Sequence, residues 1–215
     1  MDAAPLDLLR LVVRHHLHPE LDLHPSWLPA DWPARHRGIG RLGPSGRAVL
    51  GQLLRREAGE PDWRFDSRMR RLALLDVASL RRLAAYTGLG AHKPLFRLRG
   101  VGAQLRRQAR RFDVDGADFV MDRMPALGEL RMNPSRLQER PAAAGRVVMD
   151  RGYRLLLAAI APEGTATLAR VQRKLPRRVA ALAVPPLEAH QLAQLRELML
   201  LCIVPERLPQ WDWLF

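Results

Sequence analysis

Cysteine occurs once in this 215-residue chain, as Cys202, so no internal disulfide can form and a reducing, cytoplasmic setting is expected. Its place inside the apolar run 198–204 marks it as packing rather than as a nucleophile. Lysine is almost missing: of 35 basic residues only Lys93 and Lys174 are lysine. No apolar run approaches the ~18 residues of a membrane span. The N-terminus, with Asp2 and Asp7 around Pro5, lacks the basic region and small-residue cleavage site of a secretory signal. β-branched alternation is nearly absent, and no Asn-Gly or Asp-Gly pair separates two strand-like runs, which excludes a β-rich architecture. Also missing are a Gly-x-Ser-x-Gly elbow, a His-Glu-x-x-His pair and any Cys-based zinc spacing. Without a base–nucleophile constellation the chain reads as no enzyme, with no cofactor and no metal.

What is present is a globular composition: 47% hydrophobic residues, enough for a real core. The length suits one sizeable domain or two small lobes. A net charge of +13 and a pI near 11.4 raise nucleic acid or an anionic surface as a partner. The near-exclusive use of arginine, with abundant Ala, Leu and Pro, is also what a GC-rich coding sequence gives without any selection for binding.

Helical periodicity dominates the chain, and the expected class is all-α or nearly so. Leu6, Leu9, Val13 and Leu17 mark an amphipathic helix that stops before Pro19. Closely spaced prolines up to Pro44 forbid any long helix there. Ser45 opens a helix to about Ala58 with Val49, Leu50, Leu53 and Leu54 inward. The central helix follows Asp76, with Val77, Leu80, Leu83 and Ala84 on one face and Gly88 as its stop. Residues 152–161 read as a buried helix ended by Pro162. Leu168, Val171 and Leu175 form another apolar face, with Arg170, Arg173 and Lys174 outward. The last helix, about 187–203, is apolar all round in its second half and needs a cover, for which the tail 208–215 is the candidate. Three prolines and an Ala-Gly stretch in 124–146 suggest a linker or surface excursion. The expected division is an N-terminal helical lobe over 1–123, that linker, and a C-terminal helical lobe over 147–215.

Several motif matches fail on context. Gly38-Ile39-Gly40-Arg41-Leu42-Gly43 has the letters of a dinucleotide fingerprint, but no strand precedes it and Pro44 follows, so it reads as a flexible loop. Asp113-Val114-Asp115-Gly116-Ala117-Asp118 has its glycine two places early for a calcium loop and Met124 where the bidentate Glu belongs. Its acids suit a helix N-terminus or a complement to the preceding basic face. His15, His16, His18 and His24 lie close in sequence, but His15 and His16 should point to different sides of a helix, and a solvated helix end explains them.

Two features suggest a binding surface. In a helix beginning near Val101, Val101, Leu105, Ala109 and Phe112 span an arc of about 80°, while Arg106, Arg107, Arg110 and Arg111 span about 140° opposite. Residues 95–111 hold six arginines and no acid, so this face is either solvated or matched by an anion: internal acids, a partner protein or nucleic acid. Trp27 and Trp32, in the proline-rich stretch, either clamp that stretch to the body or anchor a partner.

Short stretches in order along most of the chain resemble the SctK (YscK/PscK-like) family of type III secretion. They are Leu23-His24-Pro25-Ser26-Trp27-Leu28-Pro29, the run 72–75 before the helix with Gly88-Leu89, Lys174-Leu175-Pro176-Arg177, and the ending Trp211-Asp212-Trp213-Leu214-Phe215. The resemblance implies a cytoplasmic, non-enzymatic adaptor of the sorting platform at the inner-membrane face. Such an adaptor links the cytoplasmic domain of the ring protein SctD to the pod protein SctQ, and through SctL to the export ATPase. The alternative from composition alone is a basic helical nucleic-acid-binding protein.

Overall fold

The computed structural model describes residues 3–32, 38–58, 60–128, 130 and 133–215, with side chains from Leu6 onward. Among them every regular element is helical and no strand occurs, as the periodicity requires. The residues divide into two contact-dense units: 1–77 with 160–181 and 213–215, and 78–159 with 182–212. These units interleave in sequence, whereas the sequence suggests consecutive lobes meeting at 124–146. Within that stretch Leu130, Leu137 and Ala144 are buried, and a short helix Ser135–Glu139 forms. Glu129, Arg131 and Met132, in the same stretch, lie outside the described residues.

The first unit contains helices Ala3–Leu17, Pro44–Ala58 and Thr165–Lys174, joined by short 3-10 turns. Leu23, Leu28, Leu42, Leu50 and Leu54 form one core cluster, with Trp27, Trp32 and Ile39 packed against it. Leu42 and Ile39 thus fix the glycine-rich stretch as a packed 3-10 turn rather than a flexible loop. What precedes it, residues 33–37, lies outside the described residues.

The expected inward faces are partly reversed in this unit. In the first helix Val12, His15 and His16 are buried, while Leu6, Leu9 and Leu17 are exposed. The two histidine rings do not diverge: they stand 5.1 Å apart, edge to face, and both pack on Phe65. The solvated-end reading therefore fails for His15 and His16, whereas His18 is exposed. In Pro44–Ala58, Leu50 and Leu54 are buried but Val49 and Leu53 face outward. Lys174 is also inside, where its ammonium meets Asp22 at 3.0 Å and donates to the Leu75 carbonyl at 2.8 Å. A buried ammonium persists only with such partners.

In the second unit the central helix Val77–Gly90 runs through Gly88 instead of stopping there. Gly88 lies against Gly152 of the helix Ala144–Ile160, and a Cβ on Gly88 would stand 3.1 Å from the Gly152 Cα. The glycine pair sets how closely the two backbones cross. Leu80, Leu83, Leu105, Leu156, Leu195 and Met199 are buried as the helical faces require, and Phe112 is half-buried. The helix Ala189–Glu197 loosens into a π-helical turn over Leu198–Ile203 and resumes as a short α-helix, Val204–Arg207. Leu198, Met199 and Ile203 are covered, but Leu201 stays 66% exposed, so the apolar second half is not enclosed all round.

Candidate interaction surfaces

The arginine face stands on the helix Val101–Arg110, whose entry is made by Gly100 at φ 72, a left-handed conformation that suits glycine. Val101, Leu105 and Ala109 are buried, so the opposite side must carry the arginines. Arg106 is half-buried and its guanidinium donates to the Phe96 carbonyl, which commits it to holding the preceding turn. Arg111 donates to the Gln108 side-chain oxygen at 3.2 Å. Arg107 and Arg110 are exposed and form no ion pair among the described residues.

The neighbouring acids do not answer this face. Asp113 accepts from Arg82 and, at 2.6 Å, from the Tyr86 hydroxyl. Asp115 takes a bidentate pair from Arg207 at 2.7 and 2.8 Å and a further contact from Arg123 at 3.2 Å. Arg207 is itself buried and stacks on the Phe119 ring at 4.0 Å. Burial and the adjacent Asp113 carboxylate push the Tyr86 hydroxyl well above its usual range, so it remains a donor at any physiological pH. The network Arg82–Asp113–Tyr86–Arg207–Asp115 was not visible in the sequence, because Arg207 lies 92 residues from its carboxylate partner. The only signal was four aspartates beside a single arginine in 112–123.

Trp27 and Trp32 belong to the first unit, and the arginine helix belongs to the second. The Trp27 indole N–H donates to the Leu175 carbonyl at 2.9 Å, and Arg177 lies over its ring at 5.8 Å. The Arg177 amide donates to the Ser26 hydroxyl at 2.8 Å, and the His24 amide to the Arg173 carbonyl at 2.9 Å. The Leu23–Pro29 and Lys174–Arg177 motifs, about 150 residues apart in the chain, are thus two halves of one joint. Trp32 is half-buried against the leucine cluster. Both tryptophans bind the proline-rich stretch to its unit, and of the exposed arginines of the candidate surface, Arg107, Arg110 and Arg111, only Arg111 donates to a neighbouring side chain.

No group of three or more His, Cys, Asp or Glu with metal-holding geometry occurs among the described residues. Cys202 is half-buried and burial raises its thiol pKa, so it is a poor nucleophile at neutral pH.

Comparison with known proteins gives one finding. The family model described as YOP proteins translocation protein K (YscK) matches residues 13–208. No curated protein and no solved structure matches the chain.

Proposed function

Because the chain belongs to the YscK family, and so is a protein of type III secretion, we propose that it is a non-enzymatic adaptor of the cytoplasmic sorting platform. In this reading it joins the cytoplasmic domain of SctD to the pod protein SctQ, and through SctQ reaches SctL and the export ATPase. It works at the cytoplasmic face of the inner membrane. No helix of the described residues is long and apolar enough to cross a membrane; in this reading the ring protein supplies the attachment.

The supporting observation is the uncommitted pair Arg107 and Arg110. The nearest acids in sequence are held by Arg82, Arg123 and Arg207, so the charge of this face is left for an outside carboxylate. Arg106→Glu would disturb the Phe96 carbonyl contact and Arg111→Glu the Gln108 contact, so the test reverses only the two exposed charges that hold no internal partner among the described residues. Arg107→Glu with Arg110→Glu is expected to weaken binding to SctD or SctQ by about tenfold or more, roughly 1.4 kcal/mol. Melting temperature should be unchanged, because neither side chain packs internally. Equal affinity of the double variant for both partners would remove the face from the proposal. Failure of the wild-type chain to co-purify with either partner would remove the adaptor role. Bound nucleic acid released steeply by salt, in place of those proteins, would establish the rival reading.

A further inference from the structure

We propose that Arg107 and Arg110 are one end of a longer site, whose other end is the turn Arg97–Gly100, and that an extended acidic segment of a partner protein lies along both. From Val77 to Phe112 the chain has nine Lys and Arg residues and no Asp or Glu, so no acid of this stretch answers them. Arg97 and Arg99 are exposed. Like Arg107 and Arg110, their side chains form no hydrogen bond or ion pair among the described residues. Between them Leu98 is 41% exposed, whereas the preceding Leu95 and Phe96 are buried. The turn is held in place. The Leu98 amide donates to the Leu95 carbonyl at 3.1 Å, the Leu98 carbonyl accepts from the Gly102 amide at 3.1 Å, and Arg106 donates to the Phe96 carbonyl. A Cβ on Gly102 would strike that same carbonyl, so glycine lets the turn pack directly on the helix. A partner segment therefore meets a face that is already ordered, which lowers the entropy cost of binding.

Ala103, Arg107 and Arg110 recur at helical spacing and are all exposed, so one stripe runs from the turn to the last turn of the helix. At 1.5 Å per residue the helix Val101–Arg110 is about 15 Å long. An extended chain, rising about 3.3 Å per residue, covers that length in roughly five residues. Both ends of the stripe are cationic, and Ala103 leaves its middle low and uncharged. That pattern fits a segment with acids at both ends and an apolar residue beside Leu98. A bilayer fits less well. Val101, Leu105 and Ala109 are buried in the unit, and Leu98 is the one large apolar side chain exposed between residues 95 and 111. Nucleobases find no ring to stack on, because Phe96 is buried and Phe112 is half-buried with the Arg81 guanidinium over it at 6.0 Å.

The inference rests on reading the chain as a connector between proteins, and its test is separable from that reading. A dye-labelled Asp-Glu-Leu-Ser-Asp-Glu peptide is titrated with the full chain by fluorescence polarisation at about 50 mM salt, where screening is weak. Parallel probes gather the acids at one end, carry Ser for Leu, or are an oligothymidylate of equal length. Vesicles of phosphatidylcholine and phosphatidylglycerol in equal parts complete the set. The first peptide should bind, and either altered peptide should bind several-fold more weakly. Arg97→Glu with Arg99→Glu should weaken binding by about tenfold or more with an unchanged melting temperature. Ala103→Glu places a carboxylate one helical turn before Arg107 and so supplies the acid that the face lacks. It should weaken binding to a similar degree while leaving the helix as stable or more so. No binding by wild type, equal binding of either altered peptide, undiminished binding by either variant, or preference for oligothymidylate or vesicles would each overturn the proposal. Peptide binding without SctD or SctQ co-purification sinks the adaptor role alone. Co-purification without peptide binding sinks this site alone.

Discussion

A guanidinium can only donate, so the 2.9 Å contact from Arg151 requires His92 Nε2 to accept and the ring to be neutral. Burial, reinforced by the Arg151 charge, lowers its pKa to about 3. His15 is lowered well below its usual value, first by burial and then by Lys174, Arg170 and His16. A free histidine titrates near 6.5. Below that pH the unfolded chain binds protons that these folded rings refuse, so their contribution is complete above about 6.5 and is lost as pH falls toward the folded values. The loss approaches about 1.4 kcal/mol per pH unit for each histidine. Thermal melts between pH 7 and pH 5, above the carboxylate range, should show a falling melting temperature. His92→Gln keeps an acceptor for Arg151 and removes one titration, so its slope should be shallower. A melting temperature flat from pH 7 to 5 would show that the rings are not held neutral. None of this was legible from the sequence, where a cluster of histidines at a helix end looks solvated. Burial of His15 follows from Phe65 and Arg170, which the chain brings from 50 and 155 residues away.

Individual helices were far more legible than their orientations. Periodicity located the helices at Ala3–Leu17, Pro44–Ala58, Val77–Gly90 and Val101–Arg110, because a 3.6-residue repeat of apolar positions is a local property. Which side of a helix meets the body is a property of its neighbours, and there the first unit departs from its apolar stripes. Leu6, Leu9, Val49 and Leu53 are all at least half exposed while two histidines are buried. Gly88 illustrates a second limit. Late in a helical pattern a glycine signals a C-terminal cap, but here it marks the crossing with Gly152. A Cβ on Gly152 would run into the Ala84 carbonyl, a backbone atom that cannot swing aside. Gly152→Ala should therefore cost about 3 kcal/mol, the upper end for overpacking, and lower the melting temperature by roughly 6–12 °C. Gly40→Ala, where nothing lies within 4 Å, is the control and should change stability by less than about 0.5 kcal/mol. Equal melting temperatures for the two variants would mean the helices do not cross through the glycine pair.

At the scale of the whole molecule, the interleaving of the two units decides which pieces can stand alone. A proline-rich stretch at 124–146 invites a cut there, because prolines and Ala-Gly runs usually mark a linker. Fragment 1–123 would keep Asp22, Leu75 and Trp27 but lose every residue of 160–181 that completes their unit. The Leu75 carbonyl would lack the Lys174 ammonium, and the Trp27 indole would lack the Leu175 carbonyl. Val171 and Leu175, buried in the full chain, would be absent from the core. Fragment 147–215 would carry those same residues without the helices they cover, and would present Lys174 without Asp22. Each missing partner leaves a buried polar group unpaired, at about 1–3 kcal/mol apiece, in addition to the lost apolar burial. A domain is typically stable by only ~5–15 kcal/mol, so neither fragment should fold. Expressed singly, 1–123 and 147–215 should be insoluble or lack a cooperative melt, whereas the full chain should melt cooperatively. Circular dichroism melts on the two fragments and the intact chain make the comparison. A soluble 1–123 with a cooperative transition would show that the first unit does not need 160–181, and that the boundary lies in 124–146 after all.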